Sequence, residues 1–242
     1  MIKSLTPDEA VKNALENGVK KIIVPTAHPD DINDVMALID KYDNVYGMLG
    51  IHPSECLNWS DDIEKKIREF SNHKKIIAIG EIGLDYYWDK SNIDAQKEIF
   101  IKQIAIANEL NLPIAIHDRD AHKDTMDILA EYNKNSTVIM HCFSGSVELA
   151  KECIKRGYYI ALGGVVTFKN AVKTKEVAQN IPLEYLLLET DAPFLTPVPY
   201  RGEENQPSYT RYVAEEIAKL TGKTLDEIDE ITTKNTEKVF NL

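Results

Sequence analysis

Two hydrophobic rhythms alternate along this chain. Short, nearly continuous apolar runs are separated by longer segments in which apolar positions recur at helical spacing. The runs KKIIVPTA, VYGMLGI, IIAIG, LPIAI, STVIM, GYYIALGG and YLLLET predict seven strands. The segments between them predict helices near Asp30–Lys41, Asp61–Phe70, Ile93–Leu110, His122–Tyr132, Val147–Lys155, Asn170–Gln179 and Ser208–Leu220. In the segment from Ile93 to Leu110, the predicted buried face carries Phe100, Ile104, Ala107 and Leu110. TPDE at Thr6–Glu9 is a capping box with Pro7 at the first helical position, so a helix is expected almost at the N-terminus.

Strand and helix in alternation imply βα units around a parallel sheet, and seven strands in 242 residues fit an α/β barrel of the TIM type better than an open doubly wound sheet. An eightfold barrel needs one strand more. The early helix places the gap at the front, where only Met1–Leu5 remain, enough for a thin substitute strand and too short for a strand with a ligand-bearing loop. The chain is therefore expected to be one barrel domain over residues 1–242, N-terminally short and lacking its first β-strand. A missing strand exposes two sheet edges, which predicts edge-mediated self-association of an otherwise monomeric protein.

Six of the seven runs stop at a residue able to bind a metal or move a proton: His28, His52, Glu81, His117, His141 and Asp191. Asp and Glu number 39 and His 6 among 242 residues, so chance would put such a residue at about one of the seven endings. Parallel strands point their carboxyl ends the same way, which is how such residues meet in space.

Composition narrows the partners only slightly. A net charge of −11 argues against a protein that coats nucleic acid through a basic face. It leaves a nuclease open, because divalent cations on clustered carboxylates can present positive charge to a phosphate. Three cysteines, Cys56, Cys142 and Cys153, without CxxC pairing suit a reducing compartment. The start MIKSLTPDEAV has no signal-peptide core and no run approaches a membrane span, so a cytoplasmic protein without membrane contact is expected.

Each candidate has an ordinary use beside a chemical one. In GEIGLDYY, Glu81 stands between glycines that let backbone or ligand approach closely. It can bridge two cations, or accept loop N–H groups or pair with an arginine. His117 in IHDRDAH and His141 in HCFSG end successive strands. Neutral imidazoles there suit zinc, manganese or iron, and a hydrogen-bonded structural role serves either one alone. Asp191 in LETDAPFL precedes a turn fixed by Pro193, where it can ligate an ion and take a proton, or cap a helix; Glu189 would share its side of a regular strand. His28 and His52 each precede a proline, so turn-shaping competes with a role as neighbours of the metal ligands or as substitutes for missing ones. Arg201 and Asn205 in RGEENQP could meet a substrate anion, although a solvated loop explains the arginine equally well. Cys142 reads as a small core residue, and His73 and His122 as surface helix residues.

In this order and spacing, GIHPSE, GEIGLDYY, IHDRDA, HCFSG, LETDAPFL and RGEENQP resemble the TatD-type metal-dependent hydrolases, and ITTKNTEKVFNL is similar to that family's closing helix. The resemblance implies a metallo-dependent hydrolase barrel that uses divalent ions (Zn, Mg or Mn) to hydrolyse phosphodiesters, chiefly as a deoxyribonuclease, with RNA as a further substrate. By motif, Glu81 would bridge two metals and His117 and His141 would bind the second. Asp191 would bind the first and act as base, and Arg119 and Arg201 would lie near the scissile phosphate. The family's His-x-His motif on strand one has no counterpart here. Three readings follow: an incomplete chain, a one-metal enzyme held by Glu81, His117 and His141, or a catalytically impaired metal-binding barrel. The filled positions elsewhere favour the first. An amidohydrolase-like barrel acting on a small ester, amide or lactone is the alternative activity, in a group that often uses a bridging lysine where this chain offers Glu81.

Overall fold

The computed structural model describes residues 2–242. The capping box forms as expected: the Thr6 hydroxyl accepts the Glu9 N–H, the Glu9 carboxylate accepts the Thr6 N–H at 2.8 Å, and helix α1 runs from Pro7 to Glu16. Alternation follows with β1 (Ile22–Pro25), α2 (Asp31–Lys41), β2 (Val45–Leu49), α3 (Asp61–Phe70), β3 (Ile76–Asp85), α4 (Ile93–Leu110) and β4 (Ile114–Arg119). It continues with α5 (His122–Tyr132), β5 (Val138–Met140), α6 (Val147–Lys155), β6 (Tyr159–Leu162), α7 (Val172–Asn180), β7 (Leu186–Leu188), α8 (Thr210–Thr221) and α9 (Leu225–Phe240). No strand covers the expected site at the front of the chain among the described residues. Instead the N–H groups of Lys3 and Ser4 donate to the Glu204 carboxylate at 3.0 and 2.6 Å, an anchoring that leaves that backbone outside any ladder.

Contacts gather into two compact units, Ile23–His141 and the segment ending at Ile22 together with Cys142–Leu242. In the first, β2 to β5 lie side by side in chain order and pair in parallel. In the second, β6 and β7 pair in parallel and α9 is tied to β7 by Asn235, whose amide donates to the carbonyls of Leu183 and Leu186.

Burial places the site. Every residue of β3 is buried except Glu81, the mark of a parallel strand covered on both faces. In β4, Ile114, Ala115 and Ile116 are buried, whereas His117, Asp118 and Arg119 are only half-buried. Apolar residues thus fill the sheet and reactive ones emerge toward its carboxyl edge. Glu81 was expected at the end of a short strand. It lies inside a longer one, because pairing with β4 resumes beyond it and carries β3 on to Asp85. The buried face of α4 also departs from expectation: Leu110 is half-buried at the helix end, while Gln96 and Gln103 join Ile99, Phe100, Ile104, Ile106 and Ala107 inside.

Candidate metal centre

The glycines around Glu81 serve backbone approach. Along β3 and β4, Ile79 faces Ile114 and Ile82 faces Ile116, so β3 spends three residues where β4 spends two, and a bulge falls at Glu81. Bulges re-aim side chains, and this one sits where a carboxylate must leave the sheet. A Cβ on Gly80 would come within 2.7 Å of the Ala115 Cβ, and one on Gly83 within 2.0 Å of the His117 carbonyl oxygen; Gly83 also has φ +142. Only glycine permits so close a passage, and it brings Glu81 against His117.

Four side chains converge, Glu81 on β3, His117 on β4, and His52 and His141 in the segments that follow β2 and β5. Glu81 Oε1 lies 2.8 Å from His117 Nδ1, 3.6 Å from His141 Nε2 and 4.0 Å from His52 Nε2. His52, Glu81 and His117 each offer one ligand atom, all mutually within 4.8 Å. The rings of His52 and His117 meet edge to face at 4.3 Å. These side chains are 14–19% exposed, recessed yet open to solvent. His52 settles the question left by its proline: its Nδ1 accepts the Ser54 N–H at 3.1 Å, shaping the 3-10 turn Pro53–Asn58, and its Nε2 is thereby left facing Glu81. It shapes the turn and faces the cluster at once.

Asp85 completes the arrangement. This residue carried no role in the sequence reading. The available signal was its position four residues after Glu81 on one strand. Its Oδ2 stands 3.0 Å from His117 Nε2, so the imidazole is held between two carboxylates. Ionised carboxylates only accept, so both ring nitrogens must donate and the ring is an imidazolium. Burial works against that charge, yet the hydrogen bonds to Asp85 and Glu81 overcome it and push the His117 pKa up to about 9. Burial likewise opposes charge on Glu81, but His141, His117 and His52 outweigh it and hold the carboxyl well below the usual range. For Asp85 burial is outweighed by His117 and the loop N–H groups, and its pKa is lowered. His52, desolvated and beside the charged His117, falls to about 4 and stays neutral at physiological pH.

Buried amides on α4 fix the backbone beneath these residues. Gln103 accepts the Ile51 N–H at 2.7 Å and donates to the Ile51 carbonyl at 3.1 Å, one residue before His52. Gln96 does the same for Asp85, at 2.9 and 3.0 Å.

The remaining sequence-selected residues lie as follows. In the same unit, His28 is 40% exposed in its side chain, accepts the Asp30 N–H through Nδ1 and holds Nε2 3.9 Å from Glu55. Arg119, at the end of β4, lays its guanidinium over Tyr87, 3.8 Å from the ring centre. In the other unit, β7 stops at Leu188, so Glu189 and Asp191 stand in irregular chain rather than on a common strand face. Asp191 opens the turn in which its carbonyl accepts the Phe194 N–H at 2.7 Å. Arg201 lies 3.9 Å over Phe168 and donates to the Thr196 carbonyl. Asn205 is buried, its amide donating to the Phe194 carbonyl and its oxygen accepting the Gln206 N–H. Cys142 is not a core residue: it is half-buried, with left-handed backbone at φ +42. His73 lies in the turn after α3 and not on a helix, and His122 opens α5 bonded to Asp118 at 2.7 Å.

A donor set of imidazoles around one ionised carboxylate suits a borderline divalent cation such as zinc. Glu81, already ionised, is in the protonation state a ligand needs; His52 is neutral, and its one proton must move to Nδ1, 2.8 Å from the Ser54 hydroxyl, before Nε2 can ligate. His117 needs only to surrender one proton.

The sequence matches the family model described as TatD related DNase over residues 3–241. It is 48% identical over 236 residues to the uncharacterized metal-dependent hydrolase YabD of Bacillus subtilis (strain 168), covering 97% of this chain and 92% of that protein. Identity is 38% over 239 residues to the uncharacterized metal-dependent hydrolase YcfH of Escherichia coli (strain K12), covering 97% and 88%. The crystal structure of YjjV, a TatD homologue from E. coli K12, matches with a TM-score of 0.92 at 32% identity, over 97% of this chain and 92% of that one.

Proposed function

The chain belongs to the TatD-related DNase family of metal-dependent hydrolases, with the TIM-type (β/α) fold of that group, and from this premise we propose that it cleaves phosphodiester bonds in DNA. The observation that carries the reading is the convergence of His52, His117 and His141 on one carboxylate oxygen of Glu81. Glu81 would be the carboxylate ligand, with His117, His141 and His52 as imidazole donors. A bound divalent cation supplies Lewis acidity toward a phosphoryl oxygen and makes water more acidic.

The chain's own groups divide the remaining work. Ionised Asp85 keeps the His117 ring oriented through Nε2. The guanidinium fork of Arg119 is suited to phosphate oxygens.

Purified protein incubated with single-stranded DNA and Mg²⁺, Mn²⁺ or Zn²⁺ should shorten the strand. Chelation should stop the reaction, and Glu81→Gln should lower the rate at least 100-fold. An intact strand under all three ions, with turnover of a small ester or lactone instead, would defeat the nuclease reading in favour of the amidohydrolase-like one.

A further inference from the structure

Beyond Asp85 the chain turns outward and displays aromatic surface. Trp88 is 73% exposed and Tyr87 52%, their rings edge to face at 4.9 Å and 89°. The Arg119 guanidinium lies 3.8 Å from the Tyr87 ring centre and 5.4 Å from that of Trp88. The loop is held in place, because Asp85 Oδ1 accepts the N–H groups of Tyr87 at 2.9 Å and of Trp88 at 3.3 Å. That carboxylate holds His117 with its other oxygen. The aromatic pair is thus anchored to the same group that orients a ligand of the metal centre.

A large indole left in water beside a second ring and a cation has the parts of a stacking site. The charge of the molecule bears on what fills it. At net −11, the protein as a whole does not attract a polyanion at long range, so contacts independent of net charge add to what local cations supply. Base stacking is such a contact, and it tolerates any sequence because every base has a π face. In a duplex that face is already covered by neighbouring bases.

The geometry points to Tyr87, Trp88 and Arg119 as a nucleobase-stacking platform that selects DNA with unpaired bases: one unstacked base lies on the Trp88 indole and Arg119 takes the adjoining phosphate. This rests on the reading of the chain as a nuclease and names its substrate form. Strand ends and single-stranded stretches are preferred over duplex because the platform needs a free base.

The test uses a short fluorescein-labelled oligothymidylate and the same backbone without bases, each titrated by anisotropy into protein in EDTA. Wild-type protein should bind the thymidylate on the order of tenfold more tightly than the abasic strand. Trp88→Ala should erase that difference without weakening the abasic strand further, and Trp88→Phe should keep most of it. Removing the base and removing the indole are then non-additive, which a merely structural loop residue would not produce. Equal weakening of both strands by Trp88→Ala, or no change in either, overturns the platform. DNA cleavage without base-dependent binding overturns the platform and leaves the nuclease reading intact; base-dependent binding without cleavage under any divalent cation does the reverse.

Discussion

Asp85 grips His117 from the side opposite Glu81: Oδ2 stands 3.0 Å from Nε2, while Oδ1 caps the following loop. Such outer carboxylates fix the orientation and basicity of a ligating imidazole, and their loss costs roughly 10–100-fold in metal affinity. Asp85→Asn keeps an oxygen for the loop and removes the charge. It should weaken zinc or manganese binding within that range, measured by calorimetry, with a near-normal melting temperature. Asp85→Ala removes both functions and should lower both.

Because the His117 ring carries a proton on each nitrogen in the metal-free protein, metal uptake must expel one. Titrations at pH 7 in buffers of different ionisation enthalpy should show about one proton released per ion. Apparent affinity should rise with pH and level off near the His117 pKa of about 9. Buffer-independent heats would contradict this account.

The same proton gives the metal-free fold a pH signature. His117 binds it more tightly folded than unfolded, its pKa raised from 6.5 to about 9. That stabilisation is complete below pH 6.5 and is lost as the pH climbs through 9. Glu81 and Asp85 act oppositely: their pKa values are depressed, so their contribution is present above the ordinary carboxylate range and fades in acid. Thermal melts in EDTA should therefore decline from pH 6.5 toward 9.5 and flatten above it. His117→Gln should abolish the alkaline slope.

Removing either α4 amide strands backbone groups in the interior. Gln103→Leu leaves the Ile51 N–H and carbonyl without these partners, and Gln96→Leu does so at Asp85. A buried polar group that loses its partner costs about 1–3 kcal/mol. Urea denaturation should show losses of about 2–4 kcal/mol for each variant. Gln103→Leu should also weaken metal binding through His52, and Gln96→Leu through His117.

Gly83 admits no side chain. Its Cβ would fall 2.0 Å from the His117 carbonyl oxygen, at a φ that disfavours L-residues. Gly83→Ala should destabilise the protein by more than about 3 kcal/mol and displace His117 enough to abolish metal binding. Normal stability with normal binding would mean that β3 and β4 can part freely.

What the sequence revealed and what it hid divide along a physical line. Helices 61–70, 93–110, 122–132 and 147–155 were legible to the residue, because amphipathic spacing and terminal residues are local signals. The metal-centre residues stood out because they follow apolar runs. The bulge at Glu81 and the extension of β3 to Asp85 depend on the passage of Gly83 against His117, a contact between strands that no local pattern records. Asp85 was hidden for that reason. Gln96 and Gln103 were hidden because a buried glutamine looks like an exposed one until its backbone partner is known. At the N-terminus, where the sequence leaves room for no more than a thin strand, the Glu204 carboxylate captures the Lys3 and Ser4 N–H groups, a pairing across about 200 residues that no local pattern records.

The two glutamines stand seven residues apart on one face of α4, about 10.5 Å along its axis; Gln96 grips the end of β3 and Gln103 the segment just beyond β2. Between them the helix is a gauge whose reading is a residue count. A single insertion there would swing one amide roughly 100° around the axis, away from the backbone it holds. Substitutions on the outer face should be tolerated, whereas a change in the number of residues from Gln96 to Gln103 should not. Lengthening should instead be tolerated in the exposed stretch 89–91 that precedes the helix.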